Sequence, residues 1–111
     1  MRRGDVYSAS ARGAYTGKPR PVVIIQDDRF DSTASVTVCP MTTNPVEAPL
    51  FRIPIEPSPL NGLAQPSPLM VDKLTTMPRE NLHEHMGRLH EEELVQLSRA
   101  LVVFLGLAGS S

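Results

Sequence analysis

The chain has 111 residues, of which 41% are hydrophobic and 21% are charged, and this is the composition of an ordinary soluble globular protein. Its formal net charge of −1 excludes a protein that binds nucleic acid through a uniformly basic surface. No apolar run approaches the roughly 20 residues that a membrane helix requires, and at this length we predict a single domain over residues 1–111.

Short apolar or alternating segments predict six β-strands. They lie at about 4–9, 21–26, 35–41, 50–55, 69–74 and 85–89. Eleven prolines favour short strands and turns over long helices, and Pro54 restricts the fourth strand to an edge or a bulge. Between the strands, residues 27–32 are predicted as a turn and residues 56–68 as a loop, since both are rich in the residue types that turns use.

The segment 91–105 predicts one α-helix at the C-terminal end. Glu91, Glu92 and Glu93 place negative charge in its first turn, which complements the helix dipole, and Gly106 can end it in a left-handed conformation. Helical spacing predicts that five side chains pack on the sheet: Leu94, Leu97, Leu101, Phe104 and Leu105. Phe51 is also predicted in the core. Short strands followed by one helix predict an α+β domain built on a small curled barrel.

The positive charge is concentrated at the beginning of the chain. Residues 1–30 contain six basic and three acidic residues, a net charge of +3, whereas the remaining residues contain five basic and nine acidic ones, a net charge of −4. This distribution predicts a local site for an anion, although solvated surface arginines would give the same totals. The first residues lack the apolar stretch of a secretory signal peptide, which predicts a cytoplasmic protein.

Cys39 is the one cysteine of the sequence, so the chain cannot form an internal disulfide. Its position within an apolar strand predicts a small buried side chain. A free reactive thiol is the alternative interpretation.

Two polar side chains at the ends of predicted strands suggest a site for a phosphate ester. Arg20 lies between Pro19 and Pro21 at the start of an apolar strand, where a guanidinium can hold a phosphate by two parallel hydrogen bonds. Thr42 follows the third strand. An ion pair of Arg20 with Asp27, Asp28 or Asp72 is the structural alternative, and threonines end many strands.

The order of these motifs resembles the MazF/PemK family, the toxins of bacterial toxin–antitoxin pairs, over residues 2 to 107. The resemblance is carried by three segments: Arg3-Gly4-Asp5-Val6-Tyr7, Arg20-Pro21-Val22-Val23-Ile24 and Pro40-Met41-Thr42-Thr43. It implies an SH3-like barrel of five to seven strands and a homodimer. It also implies an antitoxin partner whose acidic tail covers the basic site.

The activity that the resemblance implies is sequence-specific, metal-independent cleavage of single-stranded RNA. The neighbouring 2′-hydroxyl is the nucleophile, and the products carry a 2′,3′-cyclic phosphate and a 5′-hydroxyl. No cofactor is expected. By resemblance, Arg20 stabilises the phosphorane and Thr42 binds a non-bridging oxygen, with Thr43 as the substitute if the register differs by one residue.

Five further residues are predicted to bind RNA. Arg12 and Lys18 flank a glycine-bearing loop beside Arg20, and Tyr15 in that loop is the candidate for stacking on a base. Thr43 and Lys73 complete the set. Unlike many relatives, this loop has no carboxylate, and Lys73 stands where relatives often have glutamine, so substrate choice can differ.

Other functions are also compatible with parts of the sequence. A CcdB-like gyrase poison shares the fold, but such relatives use a C-terminal helix ending in an aromatic residue and glycine, whereas this chain ends in Leu107-Ala108-Gly109-Ser110-Ser111. An inert barrel used for binding is a third possibility. His83 and His85 could serve as a metal site or an acid–base pair, but a solvated polar edge is the preferred interpretation.

Overall fold

The computed structural model describes residues 1–10, 19–43 and 51–109. Within these ranges seven strands precede one α-helix. They are β1 (Asp5–Ala9), β2 (Arg20–Ile24), β3 (Ser35–Pro40), β4 (Arg52–Ile53), β5 (Leu69–Met70), β6 (Thr75–Pro78), β7 (Leu82–Arg88) and α1 (Glu91–Phe104). The α+β prediction of short strands followed by one C-terminal helix is confirmed.

The strands form two antiparallel sheets that meet at the end of β3. One sheet has the order β6-β3-β2-β1-β7, and the other pairs β4 with β5. Met41, directly after β3, donates its backbone N–H to the Pro21 carbonyl at 3.0 Å and bridges to Leu69 of β5. Because one segment contacts strands of both sheets, the second sheet continues from the first. The strands together form a curled sheet, as the predicted SH3-like fold requires.

Alternating side chains of the central strands divide the core into two clusters. The helix-side core contains Val23 and Cys39 together with Leu97 of α1. The opposite core contains Val22 and Ile24 of β2 with Val38 and other residues. This period of two is the one a strand imposes when both of its faces are covered.

Cys39 lies fully buried in the helix-side core. Burial raises the pKa of Cys39 to about 12, so its thiol stays protonated and unreactive near neutral pH. The prediction of a small buried side chain is confirmed.

Several strand predictions were wrong in extent. The predicted strand 69–74 ends at Met70 and continues as a 3₁₀ turn, Val71–Lys73, and the last strand begins at Leu82 rather than at residue 85. β6 was not predicted. Thr75 and Thr76 are both exposed, so the segment lacks the alternation of apolar and polar residues that predicts a strand. It forms a strand by pairing with β3.

The helix begins and ends close to the prediction. The backbone N–H of His90 donates to Glu93 Oε1 at 2.8 Å, which forms a capping box with the helix start. At the other end Gly106 has a φ of 73°, and the N–H groups of Gly106 and Leu107 donate to the carbonyls of Val103 and Val102, a Schellman motif.

The predicted packing of α1 is only partly right. Leu97 and Leu101 are buried, but Phe104 and Leu105 are 38% and 51% exposed, and Phe51 is 36% exposed. Phe104 instead meets the Phe51 ring edge-on, at 5.4 Å between centroids. The buried leucines lie in the middle of the helix, whereas the exposed Phe104 and Leu105 lie at its end.

Candidate functional site

Arg20 is the first residue of β2 and its side chain is exposed. The prolines on either side restrict the backbone to an extended conformation. On one side its neighbour across the sheet is Ala9 of β1. Because Ala9 presents only a methyl group, no side chain from that strand competes for the guanidinium.

Thr42 lies opposite Arg20 on the other side. The β2–β3 register pairs Val22 with Pro40, and the hydrogen bond from Met41 to Pro21 continues the ladder, so the next pair in register is Arg20 with Thr42. Directly opposed residues have Cβ atoms about 4.5–5.5 Å apart and share one face of the sheet. Continued by one pair in this way, the β2–β3 register sets the two predicted catalytic residues side by side.

Thr42 is held in place by the residue that precedes β5. Its backbone N–H donates to the Pro68 carbonyl at 3.1 Å, and the residue is buried. The exposed Arg20 and the buried Thr42 thus combine a cation with a hydroxyl on a residue whose backbone is anchored. This pair of groups can contact two oxygens of one phosphate.

The carboxylates proposed as structural partners of Arg20 are all engaged elsewhere. Asp27 pairs with Arg29 at 3.0 Å, and Asp28 lies 4.0 Å from Arg2, whereas Asp72 pairs with Arg52. The backbone N–H of Arg29 lowers the pKa of Asp27, which keeps that carboxylate ionised. In the part of the chain that the structure describes, no hydrogen bond or ion pair engages the Arg20 guanidinium.

The structure places only two of the predicted RNA-binding residues. Thr43 follows Thr42 and is exposed. Lys73 is exposed in the 3₁₀ turn between β5 and β6, a turn that packs against α1 and β3. No described contact links Lys73 to Arg20. The other three, Arg12, Tyr15 and Lys18, lie outside the described residues.

A polar cluster on the sheet edge was missed as a unit by the sequence analysis. Asp5 is buried and accepts hydrogen bonds from Arg88 Nη1 and from the Arg2 backbone, each at 2.8 Å. His85 of β7 lies beside it and against the ring of Tyr7. Asp5 and Tyr7 belong to one motif of the sequence. Their contacts with His85 depend on the pairing of β1 with β7, which are about 80 residues apart in the chain.

The edge position of the histidines is confirmed. His83 and His85 are exposed on β7, the last strand of the five-stranded sheet, and His83 Nε2 lies 2.7 Å from Ser10 Oγ. Among the described residues no group of three His, Cys, Asp or Glu side chains could hold a metal ion.

Within residues 1–10, 19–43 and 51–109, no helix has both the length and the apolar character needed to cross a bilayer.

Comparison with known proteins adds a family to this geometry. The family model described as "PemK-like, MazF-like toxin of type II toxin-antitoxin system" matches residues 2–105. A curated relative from Mycolicibacterium smegmatis, "Probable endoribonuclease MazF", is 65% identical over 109 residues, which cover 98% of this chain and 100% of the relative.

Solved structures share the fold. "Endoribonuclease in complex with its cognate antitoxin from Mycobacterial species" superposes with a TM-score of 0.80 at 22% identity over 99% of each chain, a likeness of fold alone. "Mycobacterium tuberculosis toxin MazF-mt6" superposes with a TM-score of 0.75 at 26% identity, over 94% of this chain and 97% of that one.

Proposed function

The chain belongs to the PemK-like, MazF-like family of toxins from type II toxin–antitoxin systems, and from this premise we propose that it is a metal-independent endoribonuclease specific for a sequence in single-stranded RNA. The M. smegmatis relative is named a probable endoribonuclease. The proposed products are a 2′,3′-cyclic phosphate and a 5′-hydroxyl end. Growth inhibition would follow from loss of translated RNA.

The observation that carries the proposal is the β2–β3 register with the hydrogen bond from Met41 to Pro21, which, continued by one residue, sets Arg20 opposite Thr42. RNA supplies its own nucleophile, the 2′-hydroxyl, so the protein must stabilise charge on the pentacoordinate phosphorus and manage two proton transfers. An arginine stays protonated, so we assign charge stabilisation to Arg20 and a hydrogen bond to a non-bridging oxygen to Thr42.

RNA binding is proposed to extend from this pair to the basic loop. Arg12 and Lys18 would contact phosphates and Tyr15 a base, with Thr43 and Lys73 on the other side. The excess of positive charge in residues 1–30 supports this assignment, because phosphate contacts provide most of the sequence-independent affinity for RNA.

The test is cleavage of a mixed-sequence single-stranded RNA by the purified protein in excess EDTA. We expect cutting at a restricted set of sites, undiminished by the chelator, with a cyclic phosphate detected on the 5′ fragment by mass spectrometry. Activity that requires a divalent ion, or products ending in a 5′-phosphate, would contradict the proposed chemistry.

A homodimer is proposed from the uncovered apolar end of α1. Val103 and Leu107 are each 68% exposed, and Leu105, Phe104 and Phe51 are exposed as well. Contiguous apolar surface of this kind marks an interaction site, and a second copy related by a two-fold axis covers both copies of the patch at once.

Light scattering at micromolar concentration should give a mass roughly twice the 12.2 kDa of one chain. Val103→Glu, which puts a charge in the patch, should shift the mass toward that of one chain. As a control, Thr75→Glu changes an exposed residue of β6 and should leave the dimer intact. A wild-type mass of one chain would refute the assembly.

An antitoxin with an acidic tail is the proposed second partner. The solved mycobacterial endoribonuclease is itself in complex with its cognate antitoxin, and the exposed Arg20, together with the excess of positive charge in residues 1–30, would attract such a tail. Inhibition would then be direct competition for the RNA site. We place the proposed activity in the cytoplasm, where translated RNA is found.

The gyrase-poison alternative gains no support. Neither the matching family nor the name of the M. smegmatis relative points to it.

A further inference from the structure

Two rings lie against each other at the edge of the five-stranded sheet. The centroids of Tyr7 on β1 and His85 on β7 are 5.1 Å apart, with an angle of 56° between the ring planes. Tyr7 packs on the opposite core, whereas the His85 side chain is 52% exposed. The pair therefore presents one half-exposed ring with a second, partly buried ring tilted against it.

A carboxylate lies near the edge of the imidazole. His85 Nε2 lies 3.7 Å from Asp5 Oδ1, and that carboxylate is fixed by its hydrogen bond from Arg88. Partial burial, together with the charge of Asp5, raises the pKa of Tyr7, so its hydroxyl is neutral and its ring acts as an aromatic support. Because Asp5 approaches the ring at Nε2, the half of the His85 side-chain surface that is exposed stays accessible to a ligand.

The two rings share the face of the sheet that carries the candidate site. Tyr7 is paired with Val22, and Ala9 with Arg20, so Tyr7 and Arg20 are diagonal neighbours on one face, about 7–8 Å apart. Given strands about 4.8 Å apart and a rise of about 3.4 Å per residue, the Cα atoms of His85 and Arg20 lie about 12 Å apart.

We propose that the His85 ring, backed by Tyr7, stacks on an unpaired base of the RNA whose cleaved phosphate lies at Arg20. Recognition of single-stranded RNA depends on such aromatic platforms. This pair lies on the same face of the sheet as Arg20, at the distance of about 12 Å given above. His85 would be a substrate-binding residue that takes no part in proton transfer. The inference rests on the proposed function.

His85→Ala should raise KM for a mixed-sequence single-stranded RNA by about 5- to 100-fold, the range for losing one stacked base, with kcat unchanged. Affinity for single-stranded DNA of the same sequence, which cannot be cleaved through a 2′-hydroxyl, should fall by a similar factor in a fluorescence titration. His85→Phe keeps a planar ring without a titratable nitrogen and should retain a KM close to that of the wild type.

The matched control is His83→Ala, which removes another exposed imidazole from β7 and should leave KM unchanged. Thermal melting of each variant checks the fold. If the wild type cuts RNA and His85→Ala matches it in KM and DNA affinity, stacking is refuted while the proposed function stands. A fall in kcat that His85→Phe does not restore would also overturn the proposal, in favour of proton transfer. A wild type that does not cut RNA would refute the proposed function itself.

Discussion

Arg20→Ala is expected to lower kcat/KM for RNA cleavage by about 10²–10³-fold, the usual loss when one strong donor to a developing oxyanion is removed. The fold should survive, because Arg20 is exposed and no described hydrogen bond or ion pair depends on its side chain. The measurement is the initial rate on a mixed-sequence single-stranded RNA in excess EDTA, with thermal melting as the check on folding.

Two further variants sharpen this test. Arg20→Lys keeps the positive charge but loses the fork that binds two oxygens, so its rate should fall between those of the wild type and Arg20→Ala. Arg29→Ala removes an exposed arginine that already pairs with Asp27 and should cut RNA normally. Equal activity of Arg20→Ala and the wild type would remove Arg20 from the catalytic mechanism.

The sequence predicted the central part of this site because local rules determine it. A proline on each side of Arg20 specifies an extended strand start, and the apolar run that follows can only be a buried strand. The position of Thr42 opposite Arg20 then depends on antiparallel pairing between strands that follow each other in the chain, joined by residues 25–34. Such near-neighbour pairing is the commonest connection in sheets, so a two-strand prediction was sufficient.

Other features were missed because they depend on distant contacts. β6 shows no hydrophobic alternation and acquires its identity only by pairing with β3. The Tyr7–His85 pair joins strands about 80 residues apart, with irregularities in register on either side of Tyr7 that no sequence pattern indicates. For Phe104, the helical spacing predicts which face of α1 it lies on. It does not predict that the side chain stays partly exposed at the end of the helix.

The Arg20–Thr42 geometry also depends on a loop that the sequence showed only as rich in proline. Asn61 is fully buried there. Its side-chain amide donates to the Glu56 carbonyl at 2.8 Å, and its side-chain oxygen accepts from the N–H groups of Ser58 and Leu63. The loop ends at Pro68, whose carbonyl receives the N–H of Thr42. An ordered loop is therefore a condition for a fixed Thr42.

Gly87→Ala should disrupt this arrangement and is expected to lower the free energy of unfolding by about 3 kcal/mol or more, at the upper end for overpacking. A Cβ at residue 87 would lie 2.1 Å from the Leu60 carbonyl oxygen and 2.8 Å from the backbone carbon of Asn61. These atoms belong to the backbone and cannot move aside as a flexible side chain would. The same Leu60 carbonyl accepts the N–H of Arg88 at 2.9 Å, so relieving the clash would break that hydrogen bond.

Gly106→Ala is the matched control for the stability measurement. It measures the cost of backbone strain at a position where a Cβ would meet no steric clash. Gly106 has a φ of 73°, but no described atom lies within 4 Å of the position that a Cβ would occupy there, so alanine should cost only the left-handed penalty of about 1–2 kcal/mol. Gly87 has no positive φ, so its penalty would come from the clash alone. Urea unfolding of both variants measures the two costs. If Gly87→Ala proves no less stable than Gly106→Ala, the 56–68 loop does not pack against β7 as described. The proposal that this loop fixes Thr42 through Pro68 would then be wrong.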